Sequence, residues 1–109
     1  MKVSELINKL NPEILTSSDF QDRDVTGCYI GDLLSWVMGK AKQGDAWITI
    51  MNNINIVAVA ELTDVSCIII SEGLSVGEDI IKKADEEGII ILKSDKTSYE
   101  LAADLSKEL

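Results

Sequence analysis

Two short, unbroken apolar runs, Cys67-Ile68-Ile69-Ile70-Ser71 and Ile89-Ile90-Ile91-Leu92, constrain this chain more than any other feature. Successive side chains of a strand point to opposite faces, so a strand that is aliphatic at every position has no face to offer water. Such runs are interior strands of a sheet covered on both sides. Each is followed by a stretch of helical spacing: Ile80, Ile81 and Ala84 after the first, Leu101, Ala102, Leu105 and Leu109 after the second. Buried strands that alternate with amphipathic helices predict an α/β fold, a three-layer domain with a mainly parallel sheet.

The remaining segments fit the same plan. Ser4 to Leu10 reads as a helix that stops near Asn11, because Pro12 disfavours helical geometry in the residue before it. Glu13 to Thr16 reads as a short strand, Ser17 to Asp24 as a polar turn region, and Val25 to Ile30 as a strand. Asp32 is expected to open a helix with Leu33, Leu34, Val37, Met38 and Ala41 on its core stripe and Gly44 at its end. Ala46 to Met51 reads as the next strand. Capping boxes are predicted at Ser75-Val76-Gly77-Glu78 and Thr97-Ser98-Tyr99-Glu100. Asn52 to Val65 is ambiguous. Its β-branched residues around Asn52-Asn53 suit a hairpin, whereas a helix there completes a strand-helix-strand crossover; helix is chosen. The expected core includes Leu33, Leu34, Val37, Val57, Ile69, Ile81, Ile90 and Leu101.

With 109 residues and 46% of them hydrophobic, the chain suits a single domain spanning 1–109. Nineteen acidic residues against ten basic give a formal charge of -9, which repels nucleic acid and anionic membranes and favours solubility. The N-terminus lacks the apolar core of a secretory signal, so a cytoplasmic location is expected. Histidine is absent, removing the commonest general base and metal ligand, and no phosphate-binding loop motif occurs. Cys28 and Cys67 show no zinc or redox spacing, and Asp22, Asp24 and Asp32 match no calcium loop. No metal, no cofactor and no catalytic residue are expected, and binding is favoured over enzymatic activity.

Candidate ligand-binding positions fall in two loops. Gly73-Leu74-Ser75-Val76-Gly77 joins a buried strand to a helix, where backbone donors can cradle an anion, and Gly73 and Ser75 are its candidates. Glu72, Glu78 and Asp79 crowd this loop with negative charge, which favours a plain capped turn. The second group is Thr26, Gly27, Gly31 and Asp32, where two glycines flank a strand just before a helix. They permit close approach of a ligand, or serve only as a bulge and a turn. Ser35, Trp36 and Gly39 lie off the apolar stripe of the helix opening at Asp32. Small residues beside a tryptophan suit a homodimer interface, the competing reading being that Trp36 packs under the N-terminal segment.

From Asp22-Arg23-Asp24-Val25-Thr26-Gly27-Cys28 through Gly31-Asp32-Leu33-Leu34-Ser35-Trp36-Val37-Met38, and again from Asn55 to Asp64 and Cys67 to Ser71, the chain resembles the DRTGG domain family. It departs from the name-giving motif: Asp24 and Val25 separate Arg23 from Thr26, and Cys28 stands where the final glycine would be. The resemblance implies a non-catalytic regulatory module, found alone or attached to phosphate acetyltransferases and to pyrophosphatases bearing nucleotide-sensing CBS domains. It implies a fold similar to the N-terminal domain of HPr kinase, a helix at Asn52 to Asp64, and self-association. The partners so expected are a second copy, a small-molecule or nucleotide ligand such as an adenine nucleotide, and a partner enzyme. A ligand-free protein-interaction adaptor is the alternative, and an HPr-kinase-like phosphotransferase a distant third.

Overall fold

A computed structural model describes residues 1–109. The elements in chain order are α1 (Val3–Leu10), β1 (Glu13–Ile14), β2 (Gly27–Ile30), α2 (Leu34–Lys40), β3 (Asp45–Thr49), α3 (Asn55–Thr63), β4 (Cys67–Ile70), α4 (Glu78–Glu87), β5 (Ile91–Lys93) and α5 (Ser98–Ser106). The strands form one sheet in the order β1-β5-β4-β3-β2. The pairs β2–β3, β3–β4 and β4–β5 are parallel, and only β1 runs antiparallel, against β5. Because the parallel strands follow one another across the sheet in sequence order, each crossover helix falls on the same side.

The aliphatic runs sit where two-sided burial requires. In β3, β4 and β5, Trp47, Ile68, Ile70 and Ile91 point to one face, where Val37 of α2, Ile56, Val57 and Ala60 of α3, and Ile80 and Ala84 of α4 meet them. Ala46, Ile48, Cys67, Ile69 and Leu92 point to the other, against Val3, Leu6 and Leu10 of α1 and Leu101 and Leu105 of α5. The expected three-layer, mainly parallel α/β architecture is therefore present.

Asn52 to Asp64 holds a helix and not a hairpin. β3 and β4 are parallel neighbours, a pairing that a tight hairpin cannot make. Asn53 starts the turn, its Oδ1 accepting the Asn55 amide at 2.9 Å. Several expectations, by contrast, need correction. Asp32 does not begin α2; the helix starts at Leu34 with Leu33 extended at its N-cap, and it ends at Ala41, ahead of Gly44. Leu33 consequently lies off the helix and is 62% exposed, Met38 is 49% exposed, and the core stripe narrows to buried Val37 flanked by half-buried Leu34 and Ala41. Ile81 is only half-buried. The Ser75 capping box does not form, because α4 starts at Glu78 with Gly77 at its N-cap, leaving the serine two residues upstream. The acidic pair Glu78 and Asp79 in the first turn suits the positive end of the helix. The Thr97 box does form: Thr97 Oγ1 accepts the Glu100 amide at 3.1 Å, and Glu100 Oε1 accepts the Thr97 amide at 3.0 Å.

Candidate functional site

The proposed ligand-binding residues divide between opposite ends of the sheet. Thr26 and Gly27 lie at the start of β2, whereas Gly31 and Asp32 follow its end, about 16 Å away at strand rise. Gly73 and Ser75 lie beyond the end of β4, at the same edge as Asp32. The six positions cannot line one pocket.

At the edge where the parallel strands end, most of these groups are bonded within the chain. Asp32 Oδ1 accepts the Thr49 hydroxyl at 2.8 Å and the Ile50 amide at 2.9 Å, tying β2 to β3. The Gly31 carbonyl accepts the Trp47 indole N–H at 2.9 Å. Gly73 takes a left-handed φ of 66° after Glu72 at 64°, and its amide donates to the Ser94 carbonyl at 2.8 Å. A glycine is needed there, since a Cβ would also meet Asp95 Oδ1 at 2.7 Å. The Ser75 carbonyl accepts from Asn52 Nδ2 at 2.8 Å. Beside this edge, Lys9, Asn11, Lys93, Ser94 and Lys96, together with the carboxylates of Glu13 and Asp95, line an open cleft of about 710 Å³. Lys9 pairs with Glu108 at 3.3 Å and Lys96 with Asp104 at 2.8 Å, while Lys93 has no carboxylate at ion-pair distance.

The opposite edge gathers the name-giving motif into a cleft of about 470 Å³ lined by Lys2, Gln21, Asp22, Arg23, Asp24, Thr26, Gln43 and Gly44. Asp22 accepts the Ser4 amide at 2.9 Å and its hydroxyl at 2.6 Å, and these bonds hold its carboxyl below the usual range. Arg23, the only arginine of the chain, donates to the Val65 and Asp64 carbonyls at 3.1 Å and to Asp64 Oδ1 at 2.7 Å. The Ser66 hydroxyl donates to the Asp24 carbonyl, and Thr26 donates its amide to the Gly44 carbonyl at 2.9 Å. A Cβ on Gly27 would meet Asp45 Oδ1 at 2.6 Å, so this glycine accommodates a neighbouring strand. The motif's polar groups are spent on fastening the N-terminal third to the α3–β4 corner. Sequence reasoning missed this role; the sole arginine inside an acidic chain was its available signal.

A different kind of surface lies along β2 and α2. Ile30, Leu33, Trp36, Met38, Ile50 and Ile54 are all large, apolar and between 43% and 62% exposed; Ile30, in register with Ile48, points to the α1 and α5 side of the sheet, whereas Trp36 and Met38 belong to α2 on the other side. Trp36, Ser35 and Gly39 face solvent, and the Lys40 ammonium sits 5.1 Å from the Trp36 ring centroid. Residues 25–60 contain only two acids, Asp32 and Asp45, matched by Lys40 and Lys42. The whole charge of -9 therefore resides elsewhere. Cys28 is exposed on this edge, its thiol pushed up to about 11 by partial burial and then by the Asp45 carboxylate. Cys67 is fully buried and its thiol is raised by burial to about 12. No helix of the chain is long and apolar enough to cross a membrane.

The family model described as DRTGG domain matches residues 5–107. Among solved structures the chain is similar to the CBS and DRTGG domains of the regulatory region of Clostridium perfringens pyrophosphatase, complexed with its activator diadenosine tetraphosphate. That likeness has a TM-score of 0.74 at 16% identity; it covers 98% of this chain and 46% of the other. It shows a shared fold. No curated protein matches.

Proposed function

The chain belongs to the DRTGG domain family, and from that premise we propose that it acts as a non-catalytic regulatory module: it pairs with a second copy, responds to a small ligand and passes the response to a partner enzyme. The observation that carries this reading is the set of exposed apolar side chains on α2, in a segment of zero net charge on an otherwise acidic body. Interface centres are depleted in charge and enriched in tryptophan and methionine, and Trp36 and Met38 are both exposed there. A module that leaves large apolar side chains exposed on a short helix is suited to binding another protein.

Adenine nucleotides are the first ligand class to test, because the regulatory region of the C. perfringens enzyme was seen with a dinucleotide activator. The cleft beside Lys93 offers a phosphate an ammonium without an ion-pair partner, as does the cleft of about 450 Å³ lined by Thr26, Gly27, Lys40 and Lys42. Thermal melting of the purified chain with mono- and dinucleotides reads the response, since a ligand held at 100 times its Kd raises stability by about 2.7 kcal/mol. A shift that disappears in Lys93→Ala supports ligand sensing at this cleft. A panel without any shift favours the adaptor. The specific support for that second reading is the engagement of Asp32, Gly31 and Gly73 in bonds within the chain.

A further inference from the structure

We propose that β2 is a docking edge for the C-terminal tail of a partner protein, which adds as one antiparallel strand beside Cys28 and Ile30 and sets its terminal carboxylate at Lys40 and Lys42. The inference rests on the binding role assigned above and names the partner segment that role would take. It does not depend on pairing through α2.

The two edges of the sheet are unlike. β1 is two residues long, follows Pro12 and carries Glu13, features that blunt an edge against pairing. β2 is four residues, Gly27-Cys28-Tyr29-Ile30, without proline or charge. Its hydrogen bonds fix what it offers. The Asp45 and Thr49 carbonyls accept from Ser66 at 2.8 Å and Ser71 at 3.1 Å, on the β4 side, so the carbonyls of Ala46 and Ile48 face β2. Gly31 donates to the Ile48 carbonyl at 3.2 Å. Because alternate residues of a parallel ladder bond to the same neighbour, Gly27 and Tyr29 face β3 with Gly31, and Cys28 and Ile30 turn their amides and carbonyls outward. That outward series stops at Cys28. Thr26 turns its amide inward to the Gly44 carbonyl at 2.9 Å, and Val25 exchanges bonds with Met1, at 2.6 Å from its amide and 3.3 Å to its carbonyl. A newcomer therefore finds two places and must end beside Gly27, a limit that a chain terminus meets without a turn.

The charges decide which terminus. Asp32 is exposed at the far end of the edge, whereas exposed Lys40 and Lys42 line the cleft of about 450 Å³ at the near end, together with Thr26, Gly27 and Tyr29. Neither lysine has a carboxylate at ion-pair distance. Asp45 also lines this cleft, but it is only 7% exposed and its Oδ2 accepts the Lys42 amide at 2.8 Å. An antiparallel strand brings its C-terminus to the lysines, where a carboxylate is attracted; a parallel one would bring an ammonium there and be repelled. Opposed residues of an antiparallel pair share a face. Cys28 and Ile30, in register with Ala46 and Ile48, point to the α1 and α5 side, so the tail residues opposite them cover exposed apolar surface and are best β-branched. The tail residue between them lies over Tyr29 on the α2 side, and the last, beside Gly27, lies on that side too, where the lysines are. The fitting tail ends in two aliphatic residues at alternate positions and one further residue that bears the carboxylate. Lysines upstream of them suit the acidic remainder of the chain.

Fluorescence anisotropy with the labelled peptide Lys-Lys-Ser-Val-Thr-Val-Ser, free at its carboxyl end, tests the site, and hydrogen exchange of the full chain by NMR tests the register. Without peptide, the Cys28 and Ile30 amides should exchange fast and those of Tyr29 and Gly31 slowly; with peptide, Cys28 and Ile30 should become protected. Amidating the peptide, or replacing both lysines by Lys40→Ala and Lys42→Ala, should weaken binding about tenfold, as the loss of two exposed ion pairs implies. N-methylation of either valine removes a donor to a β2 carbonyl and should weaken binding about three- to tenfold, whereas N-methylation of the threonine, whose N–H points away, should change it little. Equal affinity of acid and amide, protection confined to other residues, or no anisotropy change at the highest soluble concentration overturns the site. An amidated peptide with Asp in the last place that matches the free acid assigns the lysines to a side chain and overturns the terminal carboxylate. Cys28 and Ile30 amides protected in the concentrated chain alone and freed on dilution identify a second copy as the occupant, which overturns the proposal as well. If peptide binding fails while nucleotides still raise the melting temperature, the docking edge falls and the regulatory reading above stands.

Discussion

Asp22, Arg23 and Thr26 stand out in the sequence as motif residues, and their position invites a ligand; the structure spends them on internal bonds instead. Their partners, Ser4, Asp64, Val65 and Gly44, lie 18 or more positions away in sequence, beyond what local spacing reveals. Arg23→Ala removes three donors from the α3–β4 corner, where hydrogen bonds from a charged group are worth about 1.5–3 kcal/mol each in favourable settings. Because Asp64 is half exposed, the expected total is about 2 kcal/mol, read by urea unfolding. Asp22 supplies a pH test. Its folded pKa is depressed, by the Ser4 hydroxyl first and the Ser4 amide second. The stability it adds is therefore present above the ordinary aspartate pKa and is lost as pH falls through the lower, folded value. Wild type should melt above Asp22→Asn at pH 7, and the two should converge on acidification below the ordinary carboxylate range. An unchanged gap would show that the Ser4 bonds do not set it.

Among the elements, those with two-sided burial were the most legible. β4, the run at β5 and the Thr97 cap of α5 fall where aliphatic continuity and the capping box put them. Thr97→Ala is accordingly expected to cost about 0.5–2 kcal/mol in chemical denaturation. α2 was least legible, since it is only seven residues long and a single turn of misplacement exchanges core for surface. Leu33 and Met38 satisfy a helical period yet lie outside, because Asp32 is held by Thr49 and Ile50 and the helix cannot begin before Leu34. Dispersed aliphatics hid the helix at α3 in the same way: Ile56, Val57 and Val59 suit a strand by propensity, and only the parallel pairing of its neighbours demands a helix. Gly39→Ala separates the intrinsic stability of α2 from its use. Alanine in an open helical position should stabilise the monomer by about 0.5–1 kcal/mol while weakening pairing through α2 by crowding the approach of a second copy. Melting temperature at low concentration and mass at high concentration should move in opposite directions.

For the whole molecule, the distribution of charge matters more than its total. The β2 and α2 segment is neutral while the remainder carries -9, so two copies that meet there still repel through their bodies. Pairing is therefore expected to tighten as ionic strength rises to 0.15 M, where the screening length is about 8 Å. An interface held chiefly by Asp32 and the two lysines would weaken instead. The family relation and the α/β layers were legible from residues alone, but which large apolar side chains of α2 stay outside the core needed the fold, which leaves Trp36 and Met38 exposed and buries Val37. The most direct measurement is solution mass by light scattering, for wild type and Trp36→Ala at matched concentrations. Wild type should give twice the 11.9 kDa of the single chain and Trp36→Ala that of one chain with its fold intact; a wild type that remains at the single-chain mass, or a Trp36→Ala that stays dimeric, would contradict a regulatory module built on this surface.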